Sequence, residues 1–249
     1  MKTTLIASLL STAAAFAPQP ASRASTAVSE TKADLEVIAA KANPIIKFYD
    51  PLNLSGAEFW GTSNEATIGF LREAEIKHGR VAMFAFVGYI VHANGITFPW
   101  AMQMDGTPFP KVSNAPEAWD QISDSAKLQI FAFIGFLEYW REANSGQHYM
   151  SGGKPGYFPP FDAKIIPGGA LNLYDPFGLN KNMSEETKEK RLIAEINNGR
   201  AAMLGIFGFI SAGKVEGSVP ALSGIIPHYD GDPMAPMSES ILPHFGTLN

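Results

Sequence analysis

The sequence predicts an all-α membrane protein with three transmembrane helices. Helices 1 and 3 are expected to cross about a pseudo-two-fold axis, and long ordered loops are expected to join the helices. The main observation is a stretch that occurs twice, as EIKHGRVAM from Glu75 and as EINNGRAAM from Glu195, with matched residues 120 positions apart. An apolar run follows each copy, and a third apolar run, residues 130–137, lies between them. An internal repeat of this length predicts two related helices.

Each copy of the repeat places a carboxylate and a guanidinium at the edge of an apolar helix. Such charges are costly there unless they are paired. Two crossing copies can exchange partners, so we expect Glu75 to contact Arg200 and Glu195 to contact Arg80. Small residues at every third position would let the two backbones approach closely. These residues are Gly79, Ala82, Ala85, Gly88, Gly199, Ala202, Gly205 and Gly208.

The same stretches carry four side chains that can donate a lone pair to a metal. A carboxylate that contacts arginine through one oxygen keeps its second oxygen free, which applies to Glu75 and Glu195. His78 offers an imidazole nitrogen, and Asn198, at the matched position, offers a carbonyl oxygen. The repeat therefore predicts four candidate axial ligands on two crossed helices.

The two motifs resemble the first and third membrane helices of the light-harvesting chlorophyll-binding protein family, and the resemblance covers most of the chain after residue 45. It implies that Arg80 and Arg200 lock the helices through ion pairs. It also implies that Glu75, His78, Glu195 and Asn198 ligate the magnesium of chlorophyll a. The HGRVAM motif, the PHYDGDPMAP tail and the presequence look most similar to the fucoxanthin chlorophyll a/c-binding type. This implies chlorophyll c and fucoxanthin as further cofactors, with peridinin or alloxanthin as alternatives.

The first 29 residues are interpreted as a bipartite presequence that precedes a pigment-binding domain of residues 30–249. Residues 1–15 contain Lys2, then an apolar run and then the small residues Ala13, Ala14 and Ala15, as in a signal peptide. Residues 16–29 contain Ser, Thr and Arg23 but no acidic residue, as in a transit peptide. This arrangement resembles the targeting sequences of complex plastids, whereas ordinary secretion is the alternative.

The domain is expected to begin with a short helix over residues 34–41, followed by the three long helices at about 64–94, 124–142 and 185–213. An Asp-Pro dipeptide comes before each motif helix, at Asp50 and at Asp175. Asp-Pro favours an extended or turn conformation ahead of a helix. In the family that the chain resembles, such aspartates lie near carotenoid end groups, so each aspartate is either a carotenoid contact or a turn residue.

The middle helix carries Gln129 and Glu138 at the two ends of its apolar run. The resemblance implies that both bind chlorophyll, although their spacing is nine residues rather than the eight of the plant pattern. Alternatively, they are the polar ends of a spanning helix. The connections at about 95–123 and 143–173 are long for a compact soluble domain, and we expect bound pigments to order them.

The region after helix 3 departs from the plant pattern. Plant members carry a glutamine ligand fourteen positions after the asparagine, but here that position is Ala212, which cannot ligate a metal. The tail contains His228 and His244, and each is either a terminal pigment ligand or a solvated side chain.

Composition limits the other possibilities. The chain has 249 residues, a formal net charge of −5 and no cysteine, which excludes disulfides and thiolate metal sites and argues against nucleic acid as a partner. We expect a non-enzymatic antenna in the plastid thylakoid membrane, in contact with lipids, other antenna subunits and the core of photosystem I or II. The alternatives are a photoprotective quencher of the same superfamily, a dinuclear metal enzyme of the membrane, and a pigment-free structural protein.

Overall fold

The computed structural model describes most of the chain after the presequence. The described residues are 30–161, 172–173, 175–179, 182–233, 235 and 237. The presequence predicted at residues 1–29 and the candidate ligand His244 lie outside the described residues.

Five α-helices form the described chain: α1 (Lys32–Ala42), α2 (Asn64–Ala93), α3 (Ala115–Asp120), α4 (Asp124–Asn144) and α5 (Glu185–Lys214). The described ranges contain no β-strand, and an isolated antiparallel bridge joins Ala101 and Pro108. The prediction of an all-α fold is therefore confirmed for these residues. Helix α3 lies in the segment 95–123 that was expected to be a loop. A proline lies in the first turn of α3, where a helix tolerates it because the first turn needs no backbone N–H. Proline is also typical of loops, so the sequence alone does not indicate this helix.

Both long motif helices begin at a serine cap. The Ser63 hydroxyl accepts a hydrogen bond from the Ala66 amide at 3.3 Å, and the Ser184 hydroxyl accepts one from the Thr187 amide at 3.4 Å. These caps satisfy donors that have no partner within the helix. Helices α2 and α5 each contain 30 residues, so each is about 45 Å long at a rise of about 1.5 Å per residue.

Helices α2 and α5 cross at equivalent positions of the repeat. A Cβ atom placed on Gly79 would lie 3.1 Å from the Cα of Gly199, and one placed on Gly199 would lie 2.9 Å from the Cα of Gly79, so any larger residue would push the two backbones apart. The expected continuous stripe of small residues is wrong, however, because Gly88 and Gly208 have no atom within 4 Å of a Cβ position. Nine residues turn a helix by about two and a half turns, which places Gly88 on the opposite side from Gly79.

Few large apolar side chains are buried, and many are exposed along the helices. Ile68, Ile76 and Ile196 form part of the small core. In the described part of the chain, hydropathy identifies no helix as both long enough and apolar enough to cross a membrane. The exposed apolar side chains of the three long helices include Val81, Phe84, Val87, Leu204, Phe207, Leu128, Phe131, Phe133, Ile134 and Phe136.

A buried ion pair attaches α4 to α2. Arg141 and Glu73 approach to 2.6 Å, and their side chains are 5% and 4% exposed. The amide of Gly156, in the loop after α4, donates to the same Glu73 oxygen at 2.6 Å. The loop is held again where the indole N–H of Trp140 donates to the carbonyl of Pro159. Polar contacts therefore fix the middle helix and its loop against the crossed pair.

A second set of contacts holds the segment after α5 against α3 and against the end of α5 itself. Tyr229 is buried, and its hydroxyl donates to Asp120 Oδ2 at 2.8 Å. The Lys214 ammonium donates to the carbonyls of Asp230 and Gly231, and the Tyr229 amide donates to the Gly213 carbonyl. Only one 3₁₀ turn, Pro220–Leu222, follows α5 within the described residues.

Candidate functional site

Two reciprocal ion pairs flank the crossing of α2 and α5. Arg80 Nε lies 2.6 Å from Glu195 Oε1, and Arg200 Nη2 lies 2.6 Å from Glu75 Oε1. These are the two exchanges that the repeat predicts. A second Arg80 nitrogen donates to the carbonyl of Gly156 at 2.6 Å. The crossing therefore also holds the loop that follows α4.

The two carboxylates have different surroundings. Glu75 contacts a second guanidinium, because Arg72 Nη1 lies 2.5 Å from its Oε2 atom, and Arg72 Nε donates to Glu30 at 3.1 Å. Glu195 has no second guanidinium: among the described residues, its Oε2 atom has no hydrogen-bond partner. The prediction of one free oxygen on each carboxylate therefore fits Glu195 and not Glu75.

The other two candidate ligands are exposed and available. His78 Nδ1 lies 2.7 Å from the carbonyl oxygen of Ala74, one turn earlier in α2. A carbonyl only accepts, so Nδ1 of a neutral imidazole carries the hydrogen and Nε2 keeps its lone pair. Asn198 is exposed on α5, and its side chain makes no hydrogen bond within the described ranges. Both side chains can therefore offer a single donor atom to a group at the helix surface.

The candidate carboxylate and imidazole donors of the described residues do not form a metal-binding cluster. Across the described residues, no three histidine, aspartate or glutamate side chains form a group that could hold a metal ion. The arrangement instead suits a metal that already has most of its ligands and needs one axial donor. The magnesium of a tetrapyrrole fits this description, because the four ring nitrogens leave only axial positions open. The free oxygen of Glu195 and the free Nε2 of His78 are the observations that support this fit.

A cavity of about 550 Å³ lies beside the Glu75–Arg200 pair. Its wall also includes apolar side chains of α1 and the loop that contains Asp50 and Ser55. The Asp50 carboxylate accepts hydrogen bonds from the amides of Leu54 and Ser55 at 2.9 and 2.8 Å. Hydrogen bonding from Ser55 is the main reason that the pKa of Asp50 is lowered. Asp50 is therefore a charged turn residue at the edge of an open cavity.

Asp175 repeats this turn in front of the second motif helix. Its Oδ1 atom accepts from the amide of Leu179 at 2.8 Å, as Asp50 Oδ1 accepts from Leu54. The Asp175 amide donates to Asn172 at 3.2 Å. The two aspartates therefore form the same local structure, and a contact with a carotenoid stays a prediction.

The two candidate ligands of the middle helix have other partners. Glu138 forms an ion pair with Lys77 of α2, and the Gln129 amide donates to the Ser125 carbonyl at 3.2 Å. Both side chains are exposed. Their role as chlorophyll ligands stays a prediction. A chlorophyll magnesium bound to Glu138 would have to share that carboxylate with Lys77.

The region near Ala212 contains a smaller cavity of about 210 Å³, with Ala212 and His228 in its wall. His228 is exposed, and its Nε2 atom lies 3.0 Å from Asp230. Its Nδ1 atom is therefore the nitrogen that could serve as a donor. A ligand role for His228 stays a prediction.

Three residues of the site were not identified from the sequence. Arg72 and Glu73 lie one turn before the first motif, and Arg141 lies three residues after Glu138. The signal was present, since buried charges at the ends of apolar runs need partners. Their pairing depends on how α4 and its loop pack against α2, which the repeat does not specify.

Comparisons with known proteins agree on one family. The family model described as "Chlorophyll A-B binding protein" matches residues 33–213. The fucoxanthin-chlorophyll a-c binding protein F, chloroplastic, of Phaeodactylum tricornutum is 35% identical over 210 residues, which cover 84% of this chain and 94% of that protein. The fucoxanthin-chlorophyll a-c binding protein, chloroplastic, of Trieres chinensis is 35% identical over 228 residues, with 88% and 98% covered.

Proposed function

Because the chain belongs to the chlorophyll A-B binding protein family, we propose that it is a light-harvesting antenna that passes excitation energy to a photosystem. Its relatives are named for binding fucoxanthin and chlorophylls a and c, and this chain binds the same three pigments. It is not an enzyme, because the family gathers light and carries out no bond chemistry. The dinuclear metal enzyme is therefore rejected as an alternative.

The crossing of α2 and α5 is the observation that carries this proposal. Reciprocal ion pairs fix the crossing, and His78, Asn198 and the free oxygen of Glu195 lie near it as single donors. Each donor would take the axial position of a chlorophyll magnesium. A rigid pair of helices would then set the distance and angle between neighbouring pigments, and these determine the rate of energy transfer.

We group the proposed chlorophyll ligands by their helix and by whether a cationic side chain also contacts the donor group. His78, Glu195 and Asn198 hold chlorophyll a through an unshared donor atom. Glu75 holds a chlorophyll through a carboxylate that two arginines also contact. Gln129 and Glu138 hold further chlorophylls on α4, where Glu138 shares its charge with Lys77.

We propose that α2, α4 and α5 span the thylakoid membrane. Helices α2 and α5, at about 45 Å, exceed the ~30 Å hydrocarbon core of a bilayer. Many of their large apolar side chains are exposed, including Phe84 and Phe207. Several charges that lower their hydropathy are held in ion pairs, so they do not face lipid alone.

The location follows from the same relatives, which are named as chloroplastic. The chain is a plastid protein, and residues 1–29 are proposed as its bipartite targeting sequence. Its proposed partners are thylakoid lipids, other antenna subunits and the core of photosystem I or II. Nucleic acid is not among them, since the net charge is −5.

Pigment analysis of the protein purified from thylakoids tests this function. Extraction should yield chlorophyll a, chlorophyll c and fucoxanthin, and light absorbed by fucoxanthin should produce chlorophyll a fluorescence. An alkaline wash of the membranes should leave the protein in the pellet, as for a multi-pass protein. A pigment-free protein, or one released by the wash, would contradict the proposal. A strongly shortened chlorophyll lifetime in the isolated protein would favour the quencher instead.

A further inference from the structure

The two carboxylates that occupy matched positions of the repeat are bound unequally. Arg200 contacts Glu75 Oε1 at 2.6 Å, and Arg72 contacts Glu75 Oε2 at 2.5 Å, so both oxygens of Glu75 are engaged. Arg80 Nε contacts Oε1 of Glu195 at 2.6 Å. The second Glu195 oxygen has no hydrogen-bond partner in the part of the chain that the structure describes.

One sequence difference produces this asymmetry. Arg72 lies three residues before Glu75, and the matched position before Glu195 is Leu192, which cannot donate a hydrogen bond. The Arg72 side chain is 6% exposed, and its Nε atom also donates to Glu30. Because burial and two carboxylates fix its guanidinium, Arg72 cannot readily turn away from Glu75.

We propose that Arg72 is a positioning residue that makes Glu75 the weaker, and Glu195 the stronger, of the two carboxylate ligands for chlorophyll. This rests on the proposed function. A guanidinium draws electron density from the oxygen that it contacts, and its positive charge opposes a metal centre at the same atom. A magnesium at Glu75 must share an oxygen with an arginine, whereas a magnesium at Glu195 need not.

Two reciprocal substitutions test this asymmetry. Arg72→Leu removes the second guanidinium from Glu75, so that Glu75 has the surroundings that Glu195 has in the wild-type protein. Leu192→Arg places a second guanidinium near Glu195. Arg72→Leu leaves Glu75 paired with Arg200 and removes a partner from Glu30, whose side chain is 25% exposed, so it strands no fully buried charge. The full protein would be reconstituted with a chlorophyll a, chlorophyll c and fucoxanthin extract and then diluted into detergent. The release of chlorophyll from each site would be followed by absorption, with Glu75→Gln and Glu195→Gln providing the difference spectra that assign the sites.

In the wild-type protein, chlorophyll should leave the Glu75 site faster than the Glu195 site. Arg72→Leu should slow release from Glu75 by roughly three- to tenfold, the effect expected of one hydrogen bond of ordinary net strength. Leu192→Arg should accelerate release from Glu195 by a similar factor. In each variant, the release rate at the unchanged site should stay at its wild-type value.

Two results would overturn the inference. If Arg72 only supports the fold, Arg72→Leu would accelerate release from both sites. If Arg72 has no influence, Arg72→Leu would leave the rate of release from the Glu75 site at its wild-type value. If Arg72→Leu does not fold, Leu192→Arg still tests the inference. An unchanged rate of chlorophyll release from the Glu195 site in Leu192→Arg would contradict it. A wild-type protein that takes up no chlorophyll would contradict the proposed function instead.

Discussion

Gly79 and Gly199 meet backbone to backbone where α2 crosses α5. A Cβ atom on Gly199 would lie 2.9 Å from the Cα of Gly79, closer than such atoms approach in folded proteins. The two residues occupy the same position of the repeat, so the crossing point coincides with the axis that relates the two halves. Both ion pairs between the helices depend on this approach.

The first prediction concerns this contact. Gly79→Ala or Gly199→Ala should force the helices apart and lower the free energy of unfolding by about 1–3 kcal/mol, as overpacking typically does. Unfolding in detergent, followed by circular dichroism, measures the effect. Gly88→Ala and Gly208→Ala are matched controls, because a Cβ atom at either residue meets nothing within 4 Å. Equal destabilisation in all four variants would contradict the proposed tight contact.

The second prediction distinguishes the two arginines of the repeat. Arg80→Leu should destabilise more than Arg200→Leu. Glu195 would lose the one guanidinium that contacts it among the described residues, whereas Glu75 would keep Arg72. Arg80→Leu would also remove the hydrogen bond to the Gly156 carbonyl. We expect a cost of about 3 kcal/mol for Arg80→Leu and roughly half of that for Arg200→Leu. The yield of reconstituted protein and its unfolding midpoint measure this order, and a larger effect for Arg200→Leu would be inconsistent with the structure.

The third prediction concerns the buried pair between α2 and α4. Arg141→Leu should leave the buried Glu73 carboxylate without its close guanidinium, with the Lys77 ammonium 3.9 Å away as the cation that stays near it. Losing the close partner of a buried charge costs about 3 kcal/mol. Glu142→Gln is the control, because Glu142 contacts Arg141 at the surface and its loss strands no buried charge. Limited proteolysis of the loop after α4 should detect the change, since Gly156 binds the same Glu73 oxygen. Similar proteolysis of both variants would argue against this anchor.

The fourth prediction concerns pH and the segment after α5. Burial, a hydrogen bond to Asp120 and nearby negative charge raise the pKa of Tyr229. A raised pKa in the folded state means that this contribution to stability is complete below about pH 10, the ordinary tyrosine pKa. It is then lost as the pH rises above that value. Tyr229→Phe should remove about 1 kcal/mol at neutral pH, together with this alkaline dependence.

Hydrogen exchange of the Tyr229 amide, which donates to the Gly213 carbonyl, measures the opening of this segment. Tyr157→Phe is the control, because Tyr157 is an exposed tyrosine. If Tyr229→Phe kept the alkaline loss of protection, the phenol of Tyr229 would not be its source.

Much of the fold could be predicted because the sequence repeats itself. A glutamate and an arginine in each copy, beside apolar segments, require partners, and the other copy supplies them. The same reasoning could not identify the short helix α3, because a proline in a polar segment is equally typical of a loop. The small residues at every third position do not all lie at the contact. Steps of three residues wind around a helix, so Gly88 lies away from the crossing.

The candidate site was less predictable than the fold. The sequence shows which residues can donate a lone pair, but it does not show which donor atoms are free. Arg72 occupies the second oxygen of Glu75, and Lys77 pairs with Glu138. Both contacts depend on how the helices and their side chains pack, and spacing along the chain does not determine them.

The most direct test of the account is the number of chlorophylls bound by a His78→Leu variant. His78 is exposed, so this change should leave the fold intact, with the circular dichroism of the wild-type protein. We expect about one chlorophyll fewer per chain, measured by pigment extraction against protein mass. An unchanged chlorophyll count in the folded variant would contradict the assignment of His78, and with it the placement of pigments at the crossed helices.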